Sequence, residues 1–163
     1  MMSPQPDGYL IYLIKQVEIG LRRHFIDITS GHGISYAEYT SLTVLQALPG
    51  MSSAELARRS FVRPQTMAET VTSLIEAGLV RKERDPGHGR RILLFITPLG
   101  LERIEAVRPV VKELEDRLVA DLLPERRQEL IESLRAVRHA LIELSREDRR
   151  ASSPRAVPAG AAV

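Results

Sequence analysis

Closely spaced helix-start signals between residues 35 and 64 constrain this chain more than any other feature of its sequence. Ser35–Glu38 and Ser52–Glu55 each have the N-cap and N3 spacing of a capping box, in which a serine and a glutamate satisfy the free backbone amides of a helix start. Pro64 suits the first position of a further helix. Three short helices are therefore predicted here, with stop signals at Pro49–Gly50 and Gly78.

A β-hairpin is predicted directly after these helices. Leu79–Asp85 and Arg90–Thr97 are typical of short strands, and side chains of the second strand alternate between two faces. The segment Pro86–Gly87–His88–Gly89 joins them, and Pro-Gly at its centre favours a tight turn.

Apolar residues at spacings of three and four predict long helices on either side of this region. One runs from Gly8 to Gly31, and Thr97–Pro98 opens a second, which Pro109 should kink. Pro124 opens the last, whose apolar residues form a short coiled-coil-like seam. The apolar positions are Leu10, Leu13, Ile14, Val17, Leu21, Phe25 and Ile28; then Ile104, Val107, Val111, Leu114, Leu118 and Leu122; then Leu130, Leu134, Val137, Leu141 and Leu144.

This order of elements predicts a mainly α fold with a small β-hairpin wing. Residues 35–97 form a winged helix-turn-helix, flanked by long N- and C-terminal dimerisation helices at 8–34 and 98–148. The apolar stripes of these helices exceed what a small winged unit can cover, so we expect a homodimer. Since 163 residues leave room for one domain, residues 8–148 are assigned to it, between a flexible tail at 1–7 and a disordered tail at 149–163.

Composition argues against several classes of protein. Without cysteine there is no disulfide framework and no thiolate zinc site, and we expect a cytoplasmic protein. No apolar run approaches the ~20 residues of a membrane helix, so no membrane partner is expected. The four histidines fall on four different predicted elements, with no metal-ligand spacing and no catalytic constellation. We therefore expect no metal, no cofactor and no enzyme activity.

The helix that begins at Pro64 has the outward face of a DNA-recognition helix. Residues 52–77 give two short helices joined by the four-residue connection Ser60–Arg63, the spacing of a helix-turn-helix. Glutamine and threonine can contact base edges, and a helix N-terminus favours a phosphate. An ordinary amphipathic helix with a solvated face is the alternative. The candidate DNA-binding residues are Arg63, Pro64, Gln65, Thr66, Glu69, Thr72 and Ser73.

A cluster of cations on the predicted hairpin favours the DNA interpretation. Residues 55–91 carry eight basic and five acidic residues, a local excess of positive charge. Arginine suits phosphate contacts and narrow grooves. The alternatives are a solvated strand edge, or local pairing with the interleaved Glu83 and Asp85. The candidate wing residues are Arg81, Lys82, Arg84, His88, Arg90 and Arg91.

Several segments together resemble the multiple-antibiotic-resistance regulator (MarR) family. They are Ser52–Ala57, the run Val71–Val80 followed by Arg81, the wing sequence His88–Arg91, and Ile96–Gly100. The resemblance extends over the order of elements from about residue 8 to 148. It implies a homodimeric winged-helix regulator, usually a repressor, that binds double-stranded DNA. It also implies that small ligands, often aromatic acids, or oxidation can relieve DNA binding. A small aromatic or anionic effector is therefore an expected partner.

The wing departs from the family pattern at one position. The family commonly carries Asp-x-Arg there, whereas His88 occupies the Asp position and Arg90 is retained. Asp85 is a candidate to orient the arginine instead, and a protonated His88 would add a phosphate-binding charge near neutral pH. The simpler interpretation is an exposed turn histidine.

The effector site carries no motif. His24, Tyr36 and Tyr39 are polar or amphipathic residues on or near predicted inner faces, and they are candidates to line a pocket. Packing within a core is the alternative. We predict a sequence-specific DNA-binding regulator that acts on a pseudo-palindromic operator. A winged-helix protein-interaction module without DNA is the alternative function.

Overall fold

The computed structural model describes the backbone of residues 9–152 and the side chains of residues 9–148. The predicted tail at 1–7 and residues 153–163 of the predicted tail at 149–163 lie outside the described residues. The order of elements agrees with the sequence prediction. The elements are α1 (Leu10–Gly31), α2 (Tyr36–Ala47), α3 (Ser53–Arg59), α4 (Pro64–Glu76), β1 (Val80–Asp85), β2 (His88–Ile96), α5 (Pro98–Leu118) and α6 (Pro124–Ser152).

Both predicted capping boxes are present. At the start of α2, the backbone N of Ser35 donates to Glu38 Oε2 (2.8 Å), and the backbone N of Glu38 donates to Ser35 Oγ (3.2 Å). Ser52 and Glu55 exchange the same two bonds at the start of α3 (2.9 and 3.3 Å). Gly78 follows α4 with φ +70°, a left-handed conformation that glycine adopts without strain. Local sequence therefore places the ends of these helices.

The hairpin differs from the prediction in its turn. Only Pro86 and Gly87 lie between the strands, so the predicted four-residue turn is wrong and His88 begins β2. The carboxylate of Asp85 accepts a hydrogen bond from the backbone N of Gly87 (2.9 Å), which closes a local Asx-type turn over two residues. The strands pair antiparallel from Val80↔Ile96 to Arg84↔Ile92, and the register then jumps to Asp85↔His88. Gly89–Arg91 therefore form a bulge without register partners.

The base of the wing is fixed to the helices. Met51 pairs with Leu94 on the free edge of β2, through the bonds Gly50 N to Leu94 O (3.0 Å) and Leu94 N to Met51 O (2.8 Å). Gly100 lies in the first turn of α5, where a Cβ would be 2.3 Å from the carbonyl oxygen of Leu79. Only glycine therefore allows this close approach of α5 to the foot of the hairpin.

The described residues divide into two compact units, one ending at Glu115 and one beginning at Asp116. The first unit contains the hydrophobic core, to which α2, α3, α4, the hairpin and α5 contribute. Its large hydrophobic residues that are fully buried are Leu42, Leu45, Leu56, Met67, Leu74, Ile104 and Val107.

The second unit consists of the end of α5 and the whole of α6. Between Asp116 and Asp148 no described side chain is buried. The α6 helix continues to Ser152, so the predicted start of disorder at Arg149 is wrong for these four residues. Arg149, Arg150 and Ala151 have high helix propensity, and Pro154, which disfavours a helix, lies two residues after Ser152. Pro109 lies inside α5, which remains helical on both sides of it.

Candidate nucleic-acid interface

The α4 helix has one buried and one exposed face, as predicted. Met67, Val71 and Leu74 are buried in the core. The side chains on the other face form a polar, solvent-accessible surface that carries little charge. The predicted residues Arg63, Pro64, Gln65, Thr66, Glu69, Thr72 and Ser73 are all exposed there.

The N-terminus of α4 is open, in contrast to those of α2 and α3. Its N-cap residue is Arg63, whose side chain makes no capping hydrogen bond, and Pro64 occupies the first turn. The first backbone bond of the helix runs from Met67 N to Arg63 O (3.0 Å). The backbone N–H groups of Gln65 and Thr66 come before Met67 in the first turn and have no backbone acceptor. They present donors and the positive end of the helix dipole to an anion.

Two of the predicted contact residues in α4 already have side-chain partners. Gln65 Nε2 donates to Glu69 Oε1 (3.2 Å), and both side chains are exposed. Ser73 Oγ donates to Glu38 Oε1 (2.5 Å), which joins α4 to the first turn of α2. Burial raises the pKa of Glu38, but the bonds from Ser73 and Ser35 outweigh it, so the pKa lies below its usual value. The hydroxyl of Ser73 therefore belongs to the scaffold in this structure.

The turn between α3 and α4 contains the one non-glycine residue with positive φ among the described residues. Phe61 has φ +52° and is 57% exposed. On either side of it, Ser60 N bonds to Leu56 O, and Val62 N bonds to Ala57 O (both 3.0 Å). These bonds close the end of α3 and force the left-handed residue between them, at a cost of order 1 kcal/mol.

The predicted wing cations fall into two groups. Arg81 pairs with Glu83 and lies over the ring of Phe95, with 4.8 Å from the guanidinium carbon to the ring centroid. Arg91 Nη2 donates to both carboxylate oxygens of Glu55 (2.8 Å each). By contrast, three exposed cations have no hydrogen-bond or ion-pair partner within the described part of the chain. They are Lys82, Arg84 and Arg90.

Asp85 contacts the backbone and side chains of the turn, and it forms no hydrogen bond or ion pair with Arg90. Its Oδ2 lies 3.9 Å from both Arg91 Nε and His88 Nδ1, and its Oδ1 accepts from Gly87 N. The structure has no hydrogen bond or ion pair between the described side chains of Asp85 and Arg90, so it does not support the predicted alternative in which Asp85 orients Arg90. The side chain of His88 is 78% exposed, as the simpler interpretation expected.

The predicted effector residues are only partly brought together. Tyr36 and Tyr39 lie beside Phe25, with ring centroids 5.8 and 6.0 Å apart. Tyr39 is buried and Tyr36 half-buried. His24 is exposed, so its predicted place on an inner face is wrong. Phe25, Ile28 and Thr29 form the inward face of α1, and the 100° turn per residue moves His24 away from it.

Neither a metal site nor a membrane-spanning helix is found in the part of the chain that the structure describes. No group of histidine, aspartate or glutamate side chains among residues 9–148 is arranged to hold a metal ion. No described helix combines the length and the apolar character that crossing a membrane requires.

Comparison with known proteins identifies the family. A model of the MarR family matches residues 32–91. The HTH-type transcriptional repressor Rv2887 of Mycobacterium tuberculosis is 32% identical over 124 residues, which cover 76% of this chain and 87% of the relative. The chain belongs to the MarR family. It is therefore a DNA-binding helix-turn-helix transcriptional regulator, and not an enzyme.

Solved structures agree with this assignment. The crystal structure of MarR is 25% identical, with a TM-score of 0.75 over 90% of this chain and 99% of that chain. The crystal structure of Rv2887 in complex with salicylic acid is 30% identical, with a TM-score of 0.66 over 80% of this chain and 96% of that chain. The predicted winged helix-turn-helix fold of this MarR-family protein is thus confirmed.

The sequence does not reveal the full role of two residues of the interface. Glu38 and Glu55 were predicted as capping residues, but each also contacts a predicted DNA-binding element, through Ser73 and Arg91. Local sequence patterns cannot predict these contacts, because Ser73 is 35 residues from Glu38 and Arg91 is 36 residues from Glu55. Phe61 gave no signal either, since its sequence context does not reveal a positive φ.

Proposed function

We propose that this MarR-family protein binds a pseudo-palindromic DNA duplex as a homodimer, with one α4 in the major groove per subunit and the hairpin along the flanking backbone or minor groove. The observation that carries the proposal is the combination of an open, polar α4 surface with three unpaired cations on the hairpin that follows it. Helix N-termini and exposed lysine and arginine side chains are among the groups that contact phosphates.

We assign different roles to the candidate residues. Gln65 and Thr66 lie on the exposed first turn of α4, where side chains can meet base edges. Lys82, Arg84 and Arg90 are available for phosphates. Ser73, Arg81 and Arg91 have internal partners and contribute to binding indirectly.

Dimerisation is proposed from the apolar side chains that the chain leaves in solvent. On α1, Leu10, Ile11 and Val17 are 64%, 81% and 59% exposed. On α6, the predicted seam is exposed at Leu130, Leu134, Leu141 and Leu144. Such surfaces favour burial against a second copy. We assign the predicted dimerisation segments 8–34 and 98–148 to this contact, which makes residues 8–148 one functional domain.

Light scattering tests this assembly directly. The full chain at micromolar concentration should have twice the mass of one chain, and a chain truncated after Leu122 should lose the dimer. A monomeric full chain would contradict the proposal.

We also propose a small aromatic acid as effector, acting in the cytoplasm, where the operator would lie. The relative Rv2887 has been crystallised with salicylic acid, and Phe25, Tyr36 and Tyr39 supply an aromatic environment in this chain. Salicylate should weaken DNA binding in the parent protein, and Tyr36→Ala should reduce that response. Release by peroxide that a thiol reductant reverses is not expected, because the chain has no cysteine.

DNA binding itself is tested by selection from a random duplex pool, followed by fluorescence anisotropy at several salt concentrations. A steep loss of affinity with salt is expected, since each neutralised phosphate contributes a slope of about −0.9. Binding that is weak and insensitive to salt would instead favour the protein-interaction module.

A further inference from the structure

An ion pair joins the wing to the first turn of α3. Arg91 Nη2 lies 2.8 Å from each carboxylate oxygen of Glu55, and Arg91 Nε lies 3.9 Å from Asp85 Oδ2. The side chains of Arg91 and Glu55 are 42% and 31% exposed. The pair therefore lies at the surface, beside the groups proposed to contact DNA.

Glu55 is held in place by groups other than Arg91. Its Oε2 also accepts hydrogen bonds from Ser52 N (2.9 Å) and Ser52 Oγ (2.8 Å), so the carboxylate is already held in one orientation. The bond from the Ser52 backbone, then the Ser52 hydroxyl and then Arg91 lower the pKa of Glu55 to about 2. Its helix is anchored in turn by Leu56, which is fully buried. A preorganised carboxylate loses little side-chain entropy when it forms an ion pair.

The other end of the pair lies in the part of the wing that the strand ladder does not hold. Gly89–Arg91 form the bulge of β2, between the register pairs Asp85↔His88 and Arg84↔Ile92. A Cβ at Gly89 would meet nothing within 4 Å, so packing does not restrain this segment there. The contact of Arg91 with Glu55 is thus the side-chain bond that ties the bulge to α3.

Arg90 is the neighbouring residue in the same bulge, and it is exposed and unpaired within the described residues. Fixing Arg91 fixes the backbone from which Arg90 extends. We propose that Arg91 and Glu55 are positioning residues for DNA binding: together they hold the bulge so that Arg90 is directed at the duplex, while Arg91 itself contacts no phosphate. This inference rests on the proposed role of the wing in DNA binding.

The effect of charge on DNA binding distinguishes a positioning role of Arg91 from a direct contact of Arg91 with a phosphate. A phosphate contact releases counterions, whereas a cation already paired with a carboxylate adds little to that release. Moreover, Glu55→Gln removes a negative charge close to the duplex, so simple electrostatics predicts tighter DNA binding. If Glu55 acts through Arg91, the same change weakens binding. Glutamine also preserves the capping box, because it can accept the same backbone bond at N3.

The experiment measures fluorescence anisotropy of a labelled random-sequence duplex at several KCl concentrations, with the full chain and four variants. Arg90→Ala should weaken binding and reduce the salt slope by about one unit. Arg91→Ala and Glu55→Gln should each weaken binding about two- to fivefold, the bias that one partly exposed ion pair can exert, with the slope unchanged. The double variant should bind like either single variant, because both remove the same pair. Circular dichroism and thermal unfolding confirm that each variant is folded.

Three results would overturn the inference. Glu55→Gln binding as tightly as the parent, or more tightly, would show that Glu55 acts only as a negative charge. A slope reduced by Arg91→Ala as much as by Arg90→Ala would make Arg91 a phosphate contact. Additive losses in the double variant would show that the two residues act separately. If Arg90→Ala changes neither affinity nor slope, the wing does not contact DNA, and the proposed function of the wing fails rather than its positioning alone.

Discussion

The recognition helix α4 and the wing differ in how each is attached to the protein. Met67, Val71 and Leu74 bury one face of α4 along its length, whereas the wing buries Val80 and Leu94 only near its base. Farther out, the wing depends on the strand ladder, the turn at Asp85 and the bond from Arg91 to Glu55. Burial fixes the element that would read bases, and ionic contacts fix the tip of the element that would follow the backbone. Reading base edges requires a precisely placed helix, whereas phosphate contacts carry no sequence information.

The largest effect should come from breaking the attachment of α4. Leu74 is completely buried, so Leu74→Ala should reduce the free energy of unfolding by ~2–5 kcal/mol through lost burial and a cavity. Urea denaturation measures the change. Thr72→Ala, on the exposed face of the same helix, is the control and should change stability by less than about 1 kcal/mol. Equal losses in the two variants would mean that burial does not hold α4.

A somewhat smaller effect is expected at the base of the wing. In Gly100→Ala the new methyl group would meet the backbone oxygen of Leu79, which cannot easily move. We expect a loss of ~1–3 kcal/mol from overpacking, despite the better helix propensity of alanine. Gly20→Ala in α1 is the control, since nothing lies within 4 Å of its added carbon. The thermal unfolding temperature should fall for the first variant and not for the second. An unchanged temperature for Gly100→Ala would show that the hairpin foot adapts.

The two elements should also differ in what they contribute to specificity. Gln65→Ala should cost ~1–3 kcal/mol on the selected site and little on scrambled DNA, because a base contact is lost. Arg90→Ala should weaken both duplexes similarly and reduce the salt slope by about one unit. Anisotropy on both duplexes across several salt concentrations separates the outcomes. If both variants weaken the two duplexes in the same proportion, α4 does not read bases.

The smallest effect concerns pH and the attachment of the wing. The pKa of Glu55 is lowered from 4.5 to about 2 in the folded protein. Its charged form therefore adds stability above pH 4.5, and that contribution is lost as the pH falls towards 2. Glu55→Gln should show a weaker decrease of the urea midpoint across this range than the parent. Glu102→Gln, at an exposed residue without a described partner, should retain the decrease of the parent. A parent-like pH profile in Glu55→Gln would contradict this assignment.

Sequence alone predicted the parts of this fold that local interactions determine. The capping boxes at Ser35 and Ser52 and the stop at Gly78 depend on residues a few positions apart, so their spacing identifies them. The bulge in β2 and the exposure of His24 could not be predicted in this way, because both depend on the packing of distant segments.

The candidate site follows the same division. Sequence identified the exposed face of α4 and the cations of the wing, since amphipathic spacing and charge are visible in the chain. It could not tell that Arg91 is paired while Arg90 is free, although the two are adjacent. Only a contact with Glu55, 36 residues away, distinguishes them. Predicted DNA-binding arginines thus need their long-range partners before each can be assigned a role.

The open start of α4 has a consequence for the evolution and engineering of this protein. A serine or aspartate at position 63 would cap the helix and stabilise the free protein, typically by ~0.5–2 kcal/mol. The same bond would occupy an amide that a phosphate would otherwise use. Arg63 and Pro64 leave that amide available, so the protein forgoes stability in its free state where binding can replace it. Variants selected for heat resistance alone would thus tend to cap α4 and lose affinity for DNA, a trade-off between stability and function.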